Sequence, residues 1–175
     1  GGMQTSTGDF ELTMDELRAV ARFAVLCAEP ALPLFEKANP TDGRPAAALA
    51  AARVFVDGAP RSKLQRDAAT DAHRAAGEAT DEVGRHAALA ARDACASAYL
   101  HPLARASQLP HILGAGAHAA RATELARGDD PVVAEYVLTA AAKRADAVVR
   151  DVLARYPRPS AGTSRVTALL SRLDH

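Results

Sequence analysis

Apolar residues recur along most of this chain at the spacing of one face of an α-helix. The first segment with this pattern has an apolar face made of Leu17, Val20, Ala21, Ala24 and Cys27. A face that repeats every three or four residues is typical of a helix packed against other helices. No segment alternates apolar and polar residues over the length of a strand. The pattern therefore predicts an all-α protein.

Capping residues and prolines divide the helical pattern into separate helices. Thr13 with Glu16 forms a capping box, and Ser62 with Gln65 repeats it. Asp130-Pro131 places a capping side chain before a proline that suits the first helical position. These and similar signals predict helices that begin near Thr13, Ala31, Pro45, Ser62, Thr80, Pro110, Pro131 and Thr163. We expect the fifth to run to Leu100 and the seventh to Tyr156.

The length of the chain favours one domain. At 175 residues the chain has the size of a single domain. We expect residues 1–10 to be a tag-removal scar, Gly1-Gly2, followed by a flexible leader, and residues 11–175 to form a single helical domain. Gly77 and Gly84 either separate two helices or bend one long helix, so the prediction is a compact bundle of seven or eight helices.

Composition and charge exclude several classes of protein. Lys plus Arg and Asp plus Glu each number 21, so the formal net charge is zero. Nucleic-acid-binding domains normally carry a basic excess, so we expect no nucleic-acid partner. Because we find no signal peptide and no uncharged apolar run of about 18 residues, we expect a cytoplasmic protein without a membrane partner. Cys27 and Cys95 lack CxxC spacing and are predicted to be small buried thiols.

The stretch from Ser97 to Leu125 holds three of the six histidines. His101-Pro102 ends one helix, because a residue before proline is displaced from the helical conformation. Pro110 begins the next helix, whose first turn has free backbone N–H groups that favour anions. The break opens a gap in the bundle beside that turn. The candidate ligand-binding residues around the gap are Tyr99, His101, His111, His118 and Arg121.

Three interpretations of these histidines stay open. In the first, the histidines are structural: they cap a helix end and form hydrogen bonds between helices. In the second, they line a polar pocket for a small molecule or a peptide. The third interpretation is metal or acid–base chemistry. Seven helical residues separate His111 from His118 by about 10.5 Å along the axis, too far for one metal ion to bind both. No catalytic, nucleotide-binding or metal-binding motif is present, so we predict no catalytic residue, no metal and no cofactor.

Two further patterns concern helix faces. Glu82, His86 and Asp93 form a polar stripe on the fifth helix, where His86 and Asp93 are too far apart to touch. We expect this stripe to be exposed to solvent. Gly116 and the alanines near it are predicted to let the helix from Pro110 approach the helix from Thr13 closely, with both helices at the centre of the bundle.

A family resemblance is carried by LTMDELRAVARFAV, by SAYLHPL with HILGAGAHAARATEL, and by the closing RYP and RVTALLSRLD. Its most characteristic parts are the residues Ala98 to Pro102 and His111 to Gly114. Across most of residues 11–175 the chain resembles the immunity proteins, a family of small bacterial helical proteins. The resemblance implies that this chain is a cytoplasmic protein that neutralises a toxin as its binding partner. It provides no catalytic motif that could be assigned to residues of this sequence.

The leading functional hypothesis is an immunity or self-resistance protein, of the toxin–antitoxin kind, that binds a cognate protein toxin non-covalently. We lean against an enzyme. The alternative is a helical protein that binds or modifies a small-molecule ligand in the His-lined pocket. A monomer and a homodimer both fit the sequence. An exposed apolar or charged patch would favour the first hypothesis, and a concave pocket with converging polar groups the second.

Overall fold

The computed structural model describes residues 10–159 and 162–175, and within these ranges it contains helices and no strand. The predicted all-α class is therefore confirmed. The helices of the described ranges are α1 (Met14–Ala28), α2 (Leu32–Ala38), α3 (Arg44–Val56), α4 (Lys63–Glu78), α5 (Glu82–Ala96), α6 (Pro110–Ala126), α7 (Pro131–Arg144), α8 (Ala147–Ala154) and α9 (Arg165–Asp174). Of the predicted leader, residues 1–9 lie outside the described residues, and Phe10 packs edge-on against Tyr156.

Local capping signals fix most of the helix starts. The Thr13 hydroxyl accepts a hydrogen bond from the Glu16 N–H at 3.0 Å, and the Thr13 N–H donates to Glu16 Oε1 at 2.9 Å. The second predicted capping box, Ser62 with Gln65, is also present. Gln65 is fully buried, and its Nε2 donates to the Ala51 carbonyl at 2.9 Å. This capping residue therefore also joins α4 to α3.

The prediction of one continuous helix from Pro131 to Tyr156 is wrong, because the structure divides this segment into α7 and α8. Asp146 lies at the break, and its Oδ1 accepts from the Val149 N–H at 2.9 Å. An aspartate side chain that caps a new helix competes with continuation of the old one. If α7 and α8 are counted as one interrupted helix, the described ranges contain eight helices, within the predicted seven or eight. Likewise α5 ends at Ala96 and is followed by a 3-10 turn, rather than reaching Leu100.

Helix α6 lies at the centre of the arrangement and packs against α1, α5, α7 and α9. Gly116 allows two of these contacts. A Cβ at this position would lie 2.7 Å from Leu173 Cδ2 on α9 and 3.7 Å from Cys27 Sγ on α1. The close approach of α1 and α6 expected at Gly116 is therefore present. The contact between α5 and α6 holds the polar residues described below.

The two cysteines are free and buried, as predicted. Burial raises the pKa of both Cys27 and Cys95 to about 12, so both are neutral thiols at neutral pH. None of the helices in the described ranges combines the length and the apolar character that crossing a bilayer requires.

Candidate functional site

Four ionisable side chains follow one another along the interface between α5 and α6. His118 of α6 lies between two residues of α5. Its Nδ1 is 3.0 Å from His86 Nδ1, and its Nε2 is 3.6 Å from Asp93 Oδ2. At the outer end, Glu82 Oε2 lies 3.6 Å from His86 Nε2. We call Glu82, His86, His118 and Asp93 the polar series.

The polar series corrects the expectation of a solvated stripe on α5. His86 and Asp93 are only 6% and 5% exposed. They do not touch each other, as expected, but His118 from the facing helix occupies the space between them. The spacing of polar residues on α5 signalled the stripe. It could not show which helix covers it, because that depends on the packing of α6 against α5.

Both histidines of the series are neutral at neutral pH. Burial lowers the pKa of His86 to about 4, with Arg85 adding to the effect. Burial, with His86 adding to it, lowers the pKa of His118 to about 3. Each neutral imidazole carries one N–H. In the one contact of the series within hydrogen-bonding distance, Nδ1 of one histidine therefore donates and Nδ1 of the other accepts.

Asp93 is the group of the series that takes up the next proton on acidification. Burial raises the pKa of its carboxyl group to about 6, although Arg92 acts in the opposite direction. Asp93 Oδ1 accepts from Arg92 Nε at 2.9 Å, and Arg92 Nη1 lies 2.9 Å from His73 Nδ1 on α4. Asp93 Oδ2 has no hydrogen-bond partner in the described part of the chain. No group of three or more His, Cys, Asp or Glu side chains in that part is arranged to hold a metal ion.

Asp93 and His118 line a cleft of about 400 Å³ between α6 and α9. The absence of a side chain at Gly114 makes room for the Asp93 carboxylate against α6. A Cβ at Gly114 would lie 2.2 Å from Asp93 Oδ2. The opposite wall comes from Val166 and Leu170 of α9. We call this space the α6–α9 cleft.

A second cleft, of about 530 Å³, lies beside His86, His118 and Arg121. Two of its lining residues, Arg121 and Arg165, belong to an ion-pair cluster around Glu124, whose side chain is fully buried. Arg121 Nη1 donates to Glu124 Oε2 at 2.9 Å. Arg165 of α9 donates to both carboxylate oxygens, at 2.9 and 2.7 Å. Burial alone would raise the pKa of Glu124, but the hydrogen bonds from Arg165 and Arg121 outweigh it and lower the pKa. The cluster fastens α9 to α6.

Of the five residues predicted for a ligand site, only His118 and Arg121 line the same cleft. Tyr99 lies elsewhere, on the 3-10 turn after α5. Its hydroxyl donates to the Ser62 carbonyl, and the Arg66 guanidinium lies 4.8 Å from the centre of its ring. Tyr99 thus joins this turn to the start of α4.

Neither His101 nor His111 forms a hydrogen bond with a member of the polar series in the described part of the chain. The side chain of His101 is exposed, and its backbone carbonyl accepts from the Tyr156 hydroxyl at 2.7 Å. His111 is partly buried, and its Nδ1 has no partner among the described residues. Burial, with the nearby His101 adding to it, lowers the pKa of His111. Of the five residues, His118 and Arg121 thus share a cleft, and a ligand site that includes Tyr99, His101 and His111 stays a prediction.

Comparison with protein families identifies the relatives of this fold. The family model described as Imm-5 like putative immunity protein matches residues 11–147. This range contains α1 to α7, and with them the whole polar series and Gly114. Comparisons with curated proteins and with solved structures give no match. Because the family model covers well over half of the sequence, the chain belongs to the Imm-5-like immunity protein family.

Proposed function

We propose that this protein protects a cell from a toxin by binding that toxin non-covalently. Membership of the immunity family, over residues 11–147, is the observation that carries the proposal. Inhibition by binding needs a stable surface that is complementary to the toxin, and no chemical step in the immunity protein itself. A set of tightly packed helices with an exposed apolar face meets that need.

The face of α7 is the surface that we assign to the toxin. Val132 and Tyr136 are 74% and 79% exposed, and they lie one helical turn apart on the same side of the helix. In contrast, Tyr156 is 2% exposed. Tyrosines are enriched among the residues that contribute most of the binding energy at protein interfaces. Both residues lie in the range that the family model matches.

A co-expression experiment tests the function and the surface separately. A candidate protein toxin is induced in a sensitive bacterium, with and without the protein. We expect survival only when the protein is present, and a complex that can be isolated by gel filtration. The function is rejected if cells that make the folded wild-type protein die as fast as cells that lack it.

Substitutions on α7 then test the assigned surface. The double variant Val132→Ser, Tyr136→Ala should weaken toxin binding roughly 30-fold, the equivalent of about 2 kcal/mol at a central contact. Leu64→Ser is the matched control, because Leu64 is a 49% exposed apolar residue on another helix, α4. Equal toxin affinity for wild type and the double variant would place the contact elsewhere while leaving the immunity function intact.

The small-molecule alternative draws support from one specific observation, the unpartnered Asp93 oxygen in the α6–α9 cleft. Because α7 does not contribute to the lining of this cleft, ligand binding and toxin binding can be measured independently.

A further inference from the structure

A pocket of about 260 Å³ lies at the end of the α7 face, where residues of α7, α8 and α9 come together. Its lining carries three cationic side chains, one from each helix: Lys143, Arg150 and Arg172. Among the described residues that line it, Glu135 is the one acidic side chain, and it is already paired with Arg172 at 3.1 Å. We call this space the basic pocket.

Two of the three cations, Lys143 and Arg150, form no ion pair within the described ranges, and both side chains are exposed. Arg155, at the end of α8, differs because it is paired with Asp151 at 2.7 Å. The carbonyl end of α7 accounts for a lysine in its last turn, but Arg150 lies inside α8, where no such reason applies. Since two unpaired cations in one pocket repel each other, an anion that enters is attracted by both.

The basic pocket continues the face of α7 that we assign to the toxin. Val132, Tyr136, Thr139 and Lys143 follow one another at helical spacing on one side of α7, and the last two line the pocket. Seven residues separate Tyr136 from Lys143, which is about 10.5 Å along the helix axis. A standard interface buries roughly 800 Å² of each partner, so one partner covers both places.

The lining of the basic pocket indicates what enters it. Lysine and arginine side chains only donate hydrogen bonds, and a carboxylate only accepts them. Leu138 and Leu173 add apolar surface, against which the methylene groups of an acidic side chain can pack. The pocket therefore suits a carboxylate on a short apolar stem, presented by a chain that also covers the α7 face.

We propose that the basic pocket receives a glutamate or aspartate side chain of the toxin, whose carboxylate accepts hydrogen bonds from Lys143 and Arg150 while a neighbouring apolar residue covers Tyr136. This inference rests on the proposed function, because it names the chemistry of the toxin surface that contacts α7. Clefts lined by charges of one sign attract an oppositely charged partner over a distance and speed its association.

Reversing the charge of the basic pocket tests the proposal with the toxin that wild type neutralises in the survival experiment. The double variant Lys143→Glu, Arg150→Glu should bind this toxin at least about tenfold more weakly by surface plasmon resonance, mainly through slower association. The double variant Lys63→Glu, Arg74→Glu is the matched control, because it changes the net charge equally at exposed positions of α4. It should bind as wild type does.

The salt dependence of wild type keeps this test independent of the folding of any variant. Association of the toxin with wild type should slow roughly tenfold between low ionic strength and about 0.5 M salt, because salt screens the attraction. The Lys143→Glu, Arg150→Glu variant should lose most of this dependence, and the α4 variant should keep it.

A short acidic peptide tests the basic pocket without the toxin. The probe is acetyl-Glu-Glu-Glu-amide, with acetyl-Gln-Gln-Gln-amide as its neutral counterpart, titrated into the full chain at low ionic strength and followed by the NMR shifts of the backbone amides. We expect the acidic peptide alone to shift the amides of Thr139, Lys143 and Arg150, and to shift them more than the amide of Lys63, which is exposed on α4.

The outcomes separate this inference from the proposed function. If wild type neither protects cells nor binds the toxin, the function is rejected and the inference falls with it. If wild type protects, but the Lys143→Glu, Arg150→Glu variant binds the toxin as tightly as wild type does, only the inference is overturned. Peptide-induced shifts no larger at the basic pocket than at Lys63 also overturn it, because they would show attraction to any basic surface.

Discussion

Mild acidification should destabilise this protein through the two histidines of the polar series. Burial lowers the pKa of His86 to about 4 and that of His118 to about 3, from 6.5 in the unfolded chain. Between these values the unfolded chain binds protons that the folded protein excludes. Because the state that binds more protons is favoured as the pH falls, both histidines lower the free energy of unfolding below a pH of about 6.5.

Asp93 acts in the opposite direction over part of the same range. Burial raises its pKa to about 6, from 3.8 in the unfolded chain. Between these two values the folded protein holds a proton that the unfolded chain releases, so acidification adds stability through this group. Near pH 5 the unfolded chain binds about two protons at the histidines and the folded protein about one at Asp93. The difference of about one proton corresponds to a loss of about 1.4 kcal/mol per pH unit.

Urea unfolding followed by circular dichroism, at several pH values between about 7 and about 5, measures this slope. Because the lowered pKa of His111 adds to the loss, we expect wild type to lose at least about 1 kcal/mol per pH unit near pH 5, and Asp93→Asn to lose about 1 kcal/mol per pH unit more than wild type, because the compensating proton is gone. Asp71→Asn, an exposed α4 variant, should keep the wild-type slope. If the free energy of unfolding stays constant over this pH range, the folded protein protonates these histidines as readily as the unfolded chain does, and the prediction is wrong. An equal slope for wild type and Asp93→Asn would refute the role of Asp93.

The remaining predictions concern packing and use the same unfolding assay. Gly114→Ala should destabilise the fold by about 1–3 kcal/mol, because its Cβ would lie 2.2 Å from the Asp93 carboxylate and this overpacking exceeds the gain in helix propensity of about 1 kcal/mol. Gly77→Ala, with no atom within 4 Å of the added Cβ, is its control and should be neutral or stabilising. Gly116→Leu should cost about 1–3 kcal/mol, since even a Cβ would lie 2.7 Å from a Leu173 methyl carbon on α9. Glu124→Ala should cost about 1–3 kcal/mol, because Arg121 and Arg165 lose a buried partner but are themselves 20% and 38% exposed; a loss below about 1 kcal/mol would show that the cluster does not fasten α9.

The helices could be predicted because their signals are local. Capping side chains act within a few residues, so the boxes at Thr13 and Ser62 mark their helices without any knowledge of tertiary structure. The break at Asp146 was missed for a related reason. Nothing in the apolar pattern from Val132 to Val152 changes there, and a capping aspartate looks the same as an exposed one until its hydrogen bond to Val149 is seen.

The candidate site was predictable only in part, because it depends on which helix faces which. The sequence singled out His118 and, separately, the stripe of His86 and Asp93. Their juxtaposition requires the register between α5 and α6, and no pattern within one helix contains it. Tyr99 and His101 were grouped with His118 because they are near in sequence, yet the turn after α5 directs the Tyr99 hydroxyl to the start of α4. The sequence analysis expected a close approach at Gly116 and none at Gly114, because nothing in the sequence shows that Asp93 packs against Gly114.

The α7 face and the α6–α9 cleft draw on different parts of the chain, and this makes them separable. The α7 face lies inside the range that the family model matches, whereas α9, which supplies one wall of the α6–α9 cleft, lies after residue 147. α9 is held by Arg165, which donates to the buried Glu124 of α6. The cleft therefore depends on an ion pair between a residue inside the matched range and one beyond it.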